Sequence, residues 1–279
     1  GNACERGATR DGAVAGRRGA GHAPNGLAYE VARLFRCPPR SAGARPDAPR
    51  IGIPRAMGLY RSAPLFLHYL AAAGVPPERL VLSPPTSAAS FHEGVAGGVH
   101  DPCFPSKLFL SHVRWLARQP IDAPELTLTD PARLERQLLE AFGDLLGIDE
   151  GANRRALEAG LAAQRRFHAD CARFGRRVLR EARRRGGAVA VVLARPYHGD
   201  PGVEHGVSTE LPARAIPVLS IATLPAAAGA LLDLSGILPE ATNSGAAEKT
   251  WAARAIRRDP RLLAVQLSSF RCGQDAAIA

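Results

Sequence analysis

The sequence has few aromatic residues, no long apolar run and only two lysines in a chain that contains 36 basic residues. No stretch approaches the roughly 18 apolar residues that a membrane-spanning helix needs. No charged-then-apolar leader precedes the first structured segment. We therefore expect a cytoplasmic protein with no membrane partner, in which thiols stay reduced. The odd number of cysteines, five, favours core, metal-binding or redox roles over a disulfide framework.

Several short catalytic motifs are also absent. The sequence has no G-x-x-x-x-G-K-[ST] loop for nucleotide phosphates, no G-x-S-x-G elbow and no H-E-x-x-H zinc motif. Nucleophilic catalysis by Cys103 or Cys272 stays open, because a helix N-terminus stabilises a thiolate. The sequence gives neither cysteine a clear base partner.

The formal net charge of +10 raises the question of nucleic-acid binding. The excess is almost entirely arginine in a sequence rich in Ala, Gly and Pro, which is typical of GC-rich coding bias. The densest basic stretch, at 165–185, lacks interleaved aromatic residues and indicates the solvated face of a helix. We therefore expect no nucleic-acid partner.

Alternating apolar runs and helical patterns predict an α/β fold. The strand-like run at 50–54, the helical pattern at 59–74 and the strand-like run at 79–83 form one parallel βαβ unit. Helical periodicity follows from Leu134 and again from Leu157, with Cys171 on the apolar face, where it is expected to pack.

A second α/β block follows these helices. It comprises a buried strand at 188–196, a short helix at 208–215, a strand at 216–222, a helix at 246–259 and a strand at 262–270. The prediction is two small Rossmann-like lobes with parallel sheets, joined by a helical segment. The predicted boundaries are an irregular N-terminal tail and upstream remnant at 1–48, a first lobe at 49–128, a helical segment at 129–187 and a second lobe at 188–279.

The stretch "ARPYHGDPGVEHG", at 194–206, follows the most apolar strand. Sites in open α/β sheets form just past the carboxyl ends of strands. His198, Asp200 and His205 could make a zinc hydrolase site, although no helix fixes their spacing. The alternative is a structural turn made by Asp200 and Pro201, in which the histidines hydrogen-bond to backbone groups.

A ligand-binding alternative uses cationic side chains instead. Arg55, Arg195 and Lys107 are candidates for holding an anionic ligand or a protein partner in the cleft between the lobes. Lys107 and Lys249 are the two lysines, and each indicates a place that suits a compact ammonium better than a guanidinium.

Five segments in order resemble the acyl-CoA dehydratase activase-related family of the 2-hydroxyglutaryl-CoA dehydratase and benzoyl-CoA reductase system. They are "RIGIPRAMGLYRSAPLF", "DPCFPSK", "ARPYHGDPGVEHG", "NSGAAEKTWAARAIRRDP" and "LSSFRCGQDA". The opening "GNACERG" resembles the cysteine-bearing segment that closes the ATPase part of such fused proteins. The resemblance covers about residues 1–7 and most of 50–279.

The resemblance implies a redox role in anaerobic metabolism. An ATPase activase module drives a low-potential electron into a dehydratase component that holds an iron–sulfur cluster in loops between α/β lobes. By motif position, Cys103 and Cys272 are implied metal ligands of a [4Fe-4S] cluster, and Cys4 belongs to the upstream cluster-bearing region. The residues implied to shape the site are Arg55, Lys107, Arg195, Tyr197, His198, Asp200, His205 and Lys249.

The sequence also departs from the family pattern. After "SHVRWLARQP" (111–120), the strand and the further cysteine-containing loop that the family usually carries are missing. Two motif cysteines are fewer than the three thiolates a cubane cluster needs, unless Cys4 or Cys37 completes the set. The resemblance therefore predicts a fragment or an internally deleted copy that is not catalytic alone.

Overall fold

The computed structural model describes residues 23–95, 103–117, 124–225 and 244–268. These ranges contain five strands and eight α-helices, and the strands form two small parallel sheets. The predicted α/β fold with two Rossmann-like lobes is thereby confirmed. No helix in the described ranges combines the length and the apolar character that crossing a membrane requires.

The first lobe is built on the predicted βαβ unit. Strand β1 (Ile51–Ile53) and strand β2 (Leu80–Leu82) pair in parallel with Ile51 opposite Leu80, and α2 (Leu59–Ala72) connects them. Helix α2 buries Tyr60, Leu67 and Tyr69 in the core of this lobe. The apolar spacing at 59–74 thus produced the expected helix, with its C-terminal turn passing into Gly74 at φ +95°.

Two helices follow the second strand. Helix α3 (Ala88–Val95) packs against α4 (Phe104–Leu116), and a 3-10 turn at Pro77–Arg79 precedes β2. Cys103 is the N-cap residue of α4, with Pro105 in its first turn. Proline suits this position because the first helical N–H groups have no partner within the helix.

Capping residues set the limits of the two connecting helices. Helix α5 (Pro131–Leu146) begins where the Asp130 carboxylate accepts backbone N–H groups, and it ends at Gly147 with φ +56°. Helix α6 (Glu150–Arg185) begins in the same way at Asp149 and ends at Gly186 with φ +63°. Carboxylate N-caps and left-handed glycine C-caps stabilise such boundaries.

The second lobe holds three parallel strands. The strands are β3 (Val189–Leu193), β4 (Val218–Ser220) and β5 (Leu262–Gln266), in the spatial order β4-β3-β5. Helix α7 (Val207–Ala213) connects β3 to β4, and α8 (Ser244–Arg257) precedes β5. Strand β3 is completely buried, as its continuous apolar run predicts for the centre of a parallel sheet.

Helix α6 joins the two lobes into one packed structure. Its N-terminal half crosses α2 so closely that a Cβ on Gly160 would lie 2.5 Å from the Leu65 carbonyl oxygen. Its C-terminal half places Phe174 and Val178 against the second sheet. Cys171, between these halves, is fully buried, which confirms its predicted packing role.

The N-terminal segment contains more structure than the predicted irregular tail. Helix α1 (Gly26–Leu34) begins at Asn25, whose side chain accepts the N–H of Ala28. Leu27 packs on the second sheet and Leu34 in the core of the first lobe, so α1 contacts both lobes. Residues 1–22 lie outside the described ranges, and the predicted domain boundaries stay predictions.

Candidate functional site

The carboxylate of Asp200 lies at the junction of the two lobes, in the turn that follows β3. Its Oδ2 accepts hydrogen bonds from the Thr86 hydroxyl (2.6 Å) and the Tyr60 hydroxyl (3.2 Å). Its Oδ1 accepts the backbone N–H of Gly202 at 2.7 Å. Asp200 is only 3% exposed, so these three donors replace the water that a carboxylate normally binds.

A second part of this network runs through His112 of α4. Its Nδ1 is 2.8 Å from the Ser83 hydroxyl, and its Nε2 is 3.0 Å from the Thr86 hydroxyl. Because Thr86 donates its only proton to Asp200, Nε2 of His112 must be the donor to Thr86. Nδ1 then accepts from Ser83, which in turn accepts the backbone N–H of Arg55 at 2.8 Å.

This proton arrangement agrees with the electrostatics of the network. Burial, together with the nearby Arg55 guanidinium, lowers the pKa of His112 to about 4, so the imidazole is neutral at pH 7. Burial raises the pKa of Asp200 to about 6, against the opposing effect of the hydrogen bonds from Thr86, Gly202 and Tyr60. At pH 7 the network therefore holds a carboxylate and a neutral histidine.

Close backbone approaches make the network possible. A Cβ on Gly202 would lie 2.4 Å from Cγ2 of Thr86, and one on Gly199 would lie 3.0 Å from Cγ2 of Val31. His205, in the same loop, has φ +55°, a left-handed conformation that is unfavourable for a residue with a Cβ. The loop at 194–206 is thus fixed by tight packing on the first lobe.

This geometry contradicts a zinc hydrolase site at His198, Asp200 and His205. The Asp200 carboxylate is occupied by three hydrogen-bond donors, and Nδ1 of His198 lies 3.3 Å from the carbonyl oxygen of Arg195. His205 is exposed. Within the described ranges, no group of three His, Cys, Asp or Glu residues could hold a metal ion. The roles predicted for His198, Asp200 and His205 in shaping a site stay predictions.

Cys103 lies beside this loop and is exposed. Its Sγ is 3.2 Å from the Ser106 hydroxyl, and its carbonyl accepts the N–H of Lys107. The next residue, Phe104, packs with Val203 and Tyr197 from the loop after β3. The fold therefore places the Cys103 loop next to the His198 loop, although the two segments are about ninety residues apart in the sequence.

The end of β5 lies at the same sheet edge. Gln266 pairs with Leu193, and the N–H of Leu267 donates to the Leu193 carbonyl at 3.0 Å. The buried ammonium of Lys249 donates to the Leu267 carbonyl at 3.2 Å. Lys249 thus contacts the segment that leads toward Cys272, whereas Cys272 itself and Cys4 lie outside the described residues.

The described residues do not form a cluster site on their own. A cubane cluster needs at least three thiolates delivered to one point. Among the described cysteines, Cys103 is exposed, Cys37 is half-buried and Cys171 is fully buried. Burial raises the pKa of Cys171 to about 12 and also raises the pKa of Cys37. Cys103 is therefore the one described thiol that suits metal binding by exposure.

A cavity of about 190 Å³ lies between the lobes, past the carboxyl ends of β3 and β4. Of the three cations predicted for an inter-lobe ligand, Arg195 lines this cavity, Arg55 lies against Phe35, and Lys107 is buried in α4. The polar and aromatic residues that line it are Glu30, Tyr60, Arg61, Phe167, His168, Arg195, Ser220, Glu248 and Trp251.

Sequence reasoning did not find the partners of Asp200. Ser83 and Thr86 directly follow the second strand, and the rule that sites form at carboxyl ends of strands would have selected them. Tyr60 and His112 lie on helices that also form core, so no sequence signal separates them from ordinary packing residues. The carboxyl groups of the cavity, Glu30 and Glu248, gave no sequence signal either.

One family model matches this chain. The model of the CoA enzyme activase uncharacterised domain (DUF2229) matches residues 50–123 and 119–224, which together make up more than half of the chain. The two matches meet at 119–123, the place where the family resemblance predicts a missing strand and cysteine-containing loop. No curated protein and no solved structure matches the chain.

Proposed function

Because the chain belongs to the CoA enzyme activase family, related to the activases of acyl-CoA dehydratases, we propose that it is an iron–sulfur electron-transfer component. It works in an ATP-dependent 2-hydroxyacyl-CoA dehydratase-type system. Its partners are an ATPase activase module, which supplies the driving force, and a dehydratase component, which receives the electron. The observation that carries this proposal is the exposed position of Cys103 beside the loop that follows β3.

The local structure of Cys103 suits a cluster ligand. The residue caps the N-terminus of α4, a helix of 13 residues, and its side chain makes no capping hydrogen bond to the backbone. The positive end of a helix dipole favours a negatively charged group such as a thiolate or an anionic cluster. Phe104 and Leu108 fix this end of the helix against Val203, so the thiol is held on a rigid element.

The topology of the second sheet supports Cys272 as another ligand. Strands β3 and β5 are parallel neighbours, so the chain leaves both of them at the same edge. With the order β4-β3-β5, the connections that follow β3 and precede β5 pass in opposite directions, the arrangement that opens a crevice at a switch point. Cys272 follows the last described residue, Ser268, by four positions, a reach of up to about 13 Å.

A bound cluster would supply one-electron chemistry at low potential. The described residues contribute Cys103 as a ligand and a surrounding of fixed dipoles, and Cys272 and Cys4 are the further proposed ligands. Lys249, whose ammonium contacts the backbone after β5, holds the segment leading to Cys272. Backbone amides and cations near such sites tune their potential.

Anaerobic reconstitution with ferrous iron and sulfide tests this function. The wild-type protein should gain a broad absorbance near about 400 nm and bound iron and sulfide in equal amounts. Cys103→Ser and Cys272→Ser should each lose most of this absorbance and iron. Cys37→Ser is the matched control, since Cys37 is half-buried and is not a proposed primary ligand.

Two results would overturn the proposal. One is a wild-type protein that stays colourless and iron-free after reconstitution while circular dichroism shows it folded. The other is a coloured protein whose iron content is unchanged by both Cys103→Ser and Cys272→Ser. Either result would leave the chain as a cluster-free ligand-binding α/β module, the alternative predicted from its lobes.

A further inference from the structure

The inter-lobe cavity has the location of a ligand site. It lies past the carboxyl ends of β3 and β4, where Val192, Ala194 and Ser220 line it, and α1, α2, α6 and α8 close it from the sides. Ligands in open α/β sheets bind at this edge. The cavity is separate from Cys103, which does not line it.

Two arginines and two glutamates line this cavity. Arg61 of α2 forms an ion pair with Glu248 of α8, and the Arg195 guanidinium also acts on the Glu248 carboxylate. Burial raises the pKa of Glu248, and the two guanidinium groups act against this rise. Glu30 of α1 lies near both members of this pair and hydrogen-bonds to the side chain of Ser220.

We propose that this cavity binds a small organic monocarboxylate, with the ligand carboxylate between Arg195 and Glu30 and its apolar tail against Phe167 and Trp251. Arg195 can take this role in addition to its other contacts, because a guanidinium has five N–H donors and a carboxylate uses two of them. A Cβ on Gly245, at the start of α8, would lie 2.8 Å from Nη1 of Arg195. The positive end of that helix therefore adds to the attraction for an anion.

The protonation of Glu30 supports an anionic ligand. Burial raises the pKa of Glu30 to about 7, with the nearby Glu248 carboxylate adding to the effect. In its neutral form Glu30 donates a hydrogen bond to a carboxylate, and the cavity then carries one excess positive charge. The other titratable groups around Glu30 lie on α2, α6, α8 and the loop after β3, and they are Arg61, His168, Cys171, Glu248 and Arg195.

Two of these neighbours are uncharged at neutral pH. Burial and Arg61 lower the pKa of His168, and burial raises the pKa of Cys171 to about 12. Glu30, whose pKa is about 7, therefore changes its charge near neutral pH. Ligand binding that requires neutral Glu30 should weaken as the pH rises through about 7.

The size of the cavity limits the ligand. Its volume is about 190 Å³. A short-chain acid fits this space. Butyrate is therefore a suitable probe, and butyramide and butylamine are its neutral and cationic counterparts.

Calorimetric titration of the full chain with the three probes tests the proposal. Butyrate should bind, and butyramide and butylamine should bind at least tenfold more weakly. Butyrate affinity should fall about tenfold from pH 6 to pH 8, since only neutral Glu30 donates a hydrogen bond to the butyrate carboxylate. Glu30→Gln should remove this pH dependence, because an amide donates at both pH values.

Two cavity variants locate the site. Arg195→Gln should weaken butyrate binding at least tenfold, and Ala222→Leu, which fills the cavity, should abolish it. Arg184→Gln is the matched control, because the Arg184 side chain is 80% exposed on α6 and far from the cavity lining. Circular dichroism shows that each variant is folded before its titration is interpreted.

Absence of butyrate binding to the folded wild type would overturn the proposal. The proposal would also be overturned if Arg195→Gln and Ala222→Leu bound butyrate as tightly as the wild type does, or if the wild type preferred butylamine to butyrate. The same titration with Cys103→Ser separates this site from the proposed cluster. Butyrate binding should be unchanged in that variant, so failure of iron reconstitution and failure of carboxylate binding are independent results.

Discussion

The hydroxyl of Thr86 lies 2.6 Å from Oδ2 of Asp200 and links the first lobe to the second. Thr86 follows β2, and Asp200 follows β3, so the contact joins two strand ends from different sheets. Both residues are buried, which strengthens a hydrogen bond to a carboxylate and makes its loss costly. The contact positions the loop at 194–206 against which the Cys103 helix packs.

Replacement of Thr86 by Val should destabilise the protein by about 2 kcal/mol, because a buried carboxylate loses a donor and His112 loses an acceptor. The free energy of unfolding from urea titrations measures this. Thr209→Val is the control, since Thr209 is exposed and bonds only to the nearby Gly206 carbonyl. It should change stability by less than about 0.5 kcal/mol. Equal effects of the two substitutions would contradict the role of Thr86.

Replacement of Gly202 by Ala should move the loop after β3, which carries Asp200, away from the loop after β2, which carries Thr86. The new Cβ would lie 2.4 Å from Cγ2 and 3.0 Å from Cβ of Thr86, so the turn must shift and lengthen the Thr86–Asp200 hydrogen bond. We expect a loss of about 1–3 kcal/mol in urea unfolding.

Gly58→Ala provides the matched control for this experiment. Nothing lies within 4 Å of a Cβ at Gly58, and its φ of −64° suits any L-residue. The substitution should be neutral or stabilise by up to about 1 kcal/mol, because it restricts the unfolded chain. If Gly202→Ala behaved like Gly58→Ala, close packing at the turn would not control stability.

Much of this fold could be predicted from the sequence because its hydrophobic pattern is strong. The βαβ unit at 51–82 and the buried strand at 189–193 follow directly from apolar runs and their spacing. Helix α1 was missed because Gly, Arg and Pro around it suggested an irregular tail, although Asn25 is a readable N-cap signal. Local composition outweighed a short but correct helical signal.

The site was only partly predictable, and the reason is physical. Loop residues such as His198 and Asp200 are conspicuous because polar groups follow an apolar strand. Tyr60 and His112, which belong to the hydrogen-bond network of Asp200, lie 140 and 88 positions away from it, and only tertiary packing brings them together. A sequence pattern records local periodicity, whereas a buried hydrogen-bond network depends on distances that the whole fold sets.

Lys249 tests the prediction that the chain uses lysine where a guanidinium would not fit. The residue is 1% exposed, and its Nζ donates to the Leu267 carbonyl. Lys249→Met should lower the midpoint of thermal unfolding because this donor is lost, and Lys249→Arg should lower it because the larger group overpacks the site. The exposed Arg257 of the same helix is the control, and Arg257→Met should leave the midpoint nearly unchanged. A fully stable Lys249→Arg protein would refute the steric explanation.

The raised pKa of Asp200 predicts the direction in which the unfolding free energy changes with pH. Burial shifts the pKa from 3.8 to about 6, so between these values the folded protein binds more protons than the unfolded chain. Stability from this group is therefore fully present below pH 3.8 and is lost as the pH rises through 6. The difference in unfolding free energy between wild type and Asp200→Asn should fall by up to about 3 kcal/mol between pH 4 and pH 7.

His112 titrates in the same range with the opposite sign. Its pKa is lowered from 6.5 to about 4, so its contribution to stability is lost as the pH falls through that interval. Because His112 is present in both proteins, its contribution cancels in the difference, and NMR titration of its imidazole in each protein verifies this. A stability difference that stays flat or grows with pH would contradict the raised pKa, because it would show that the hydrogen bonds from Thr86, Gly202 and Tyr60 fully offset the burial of the Asp200 carboxylate.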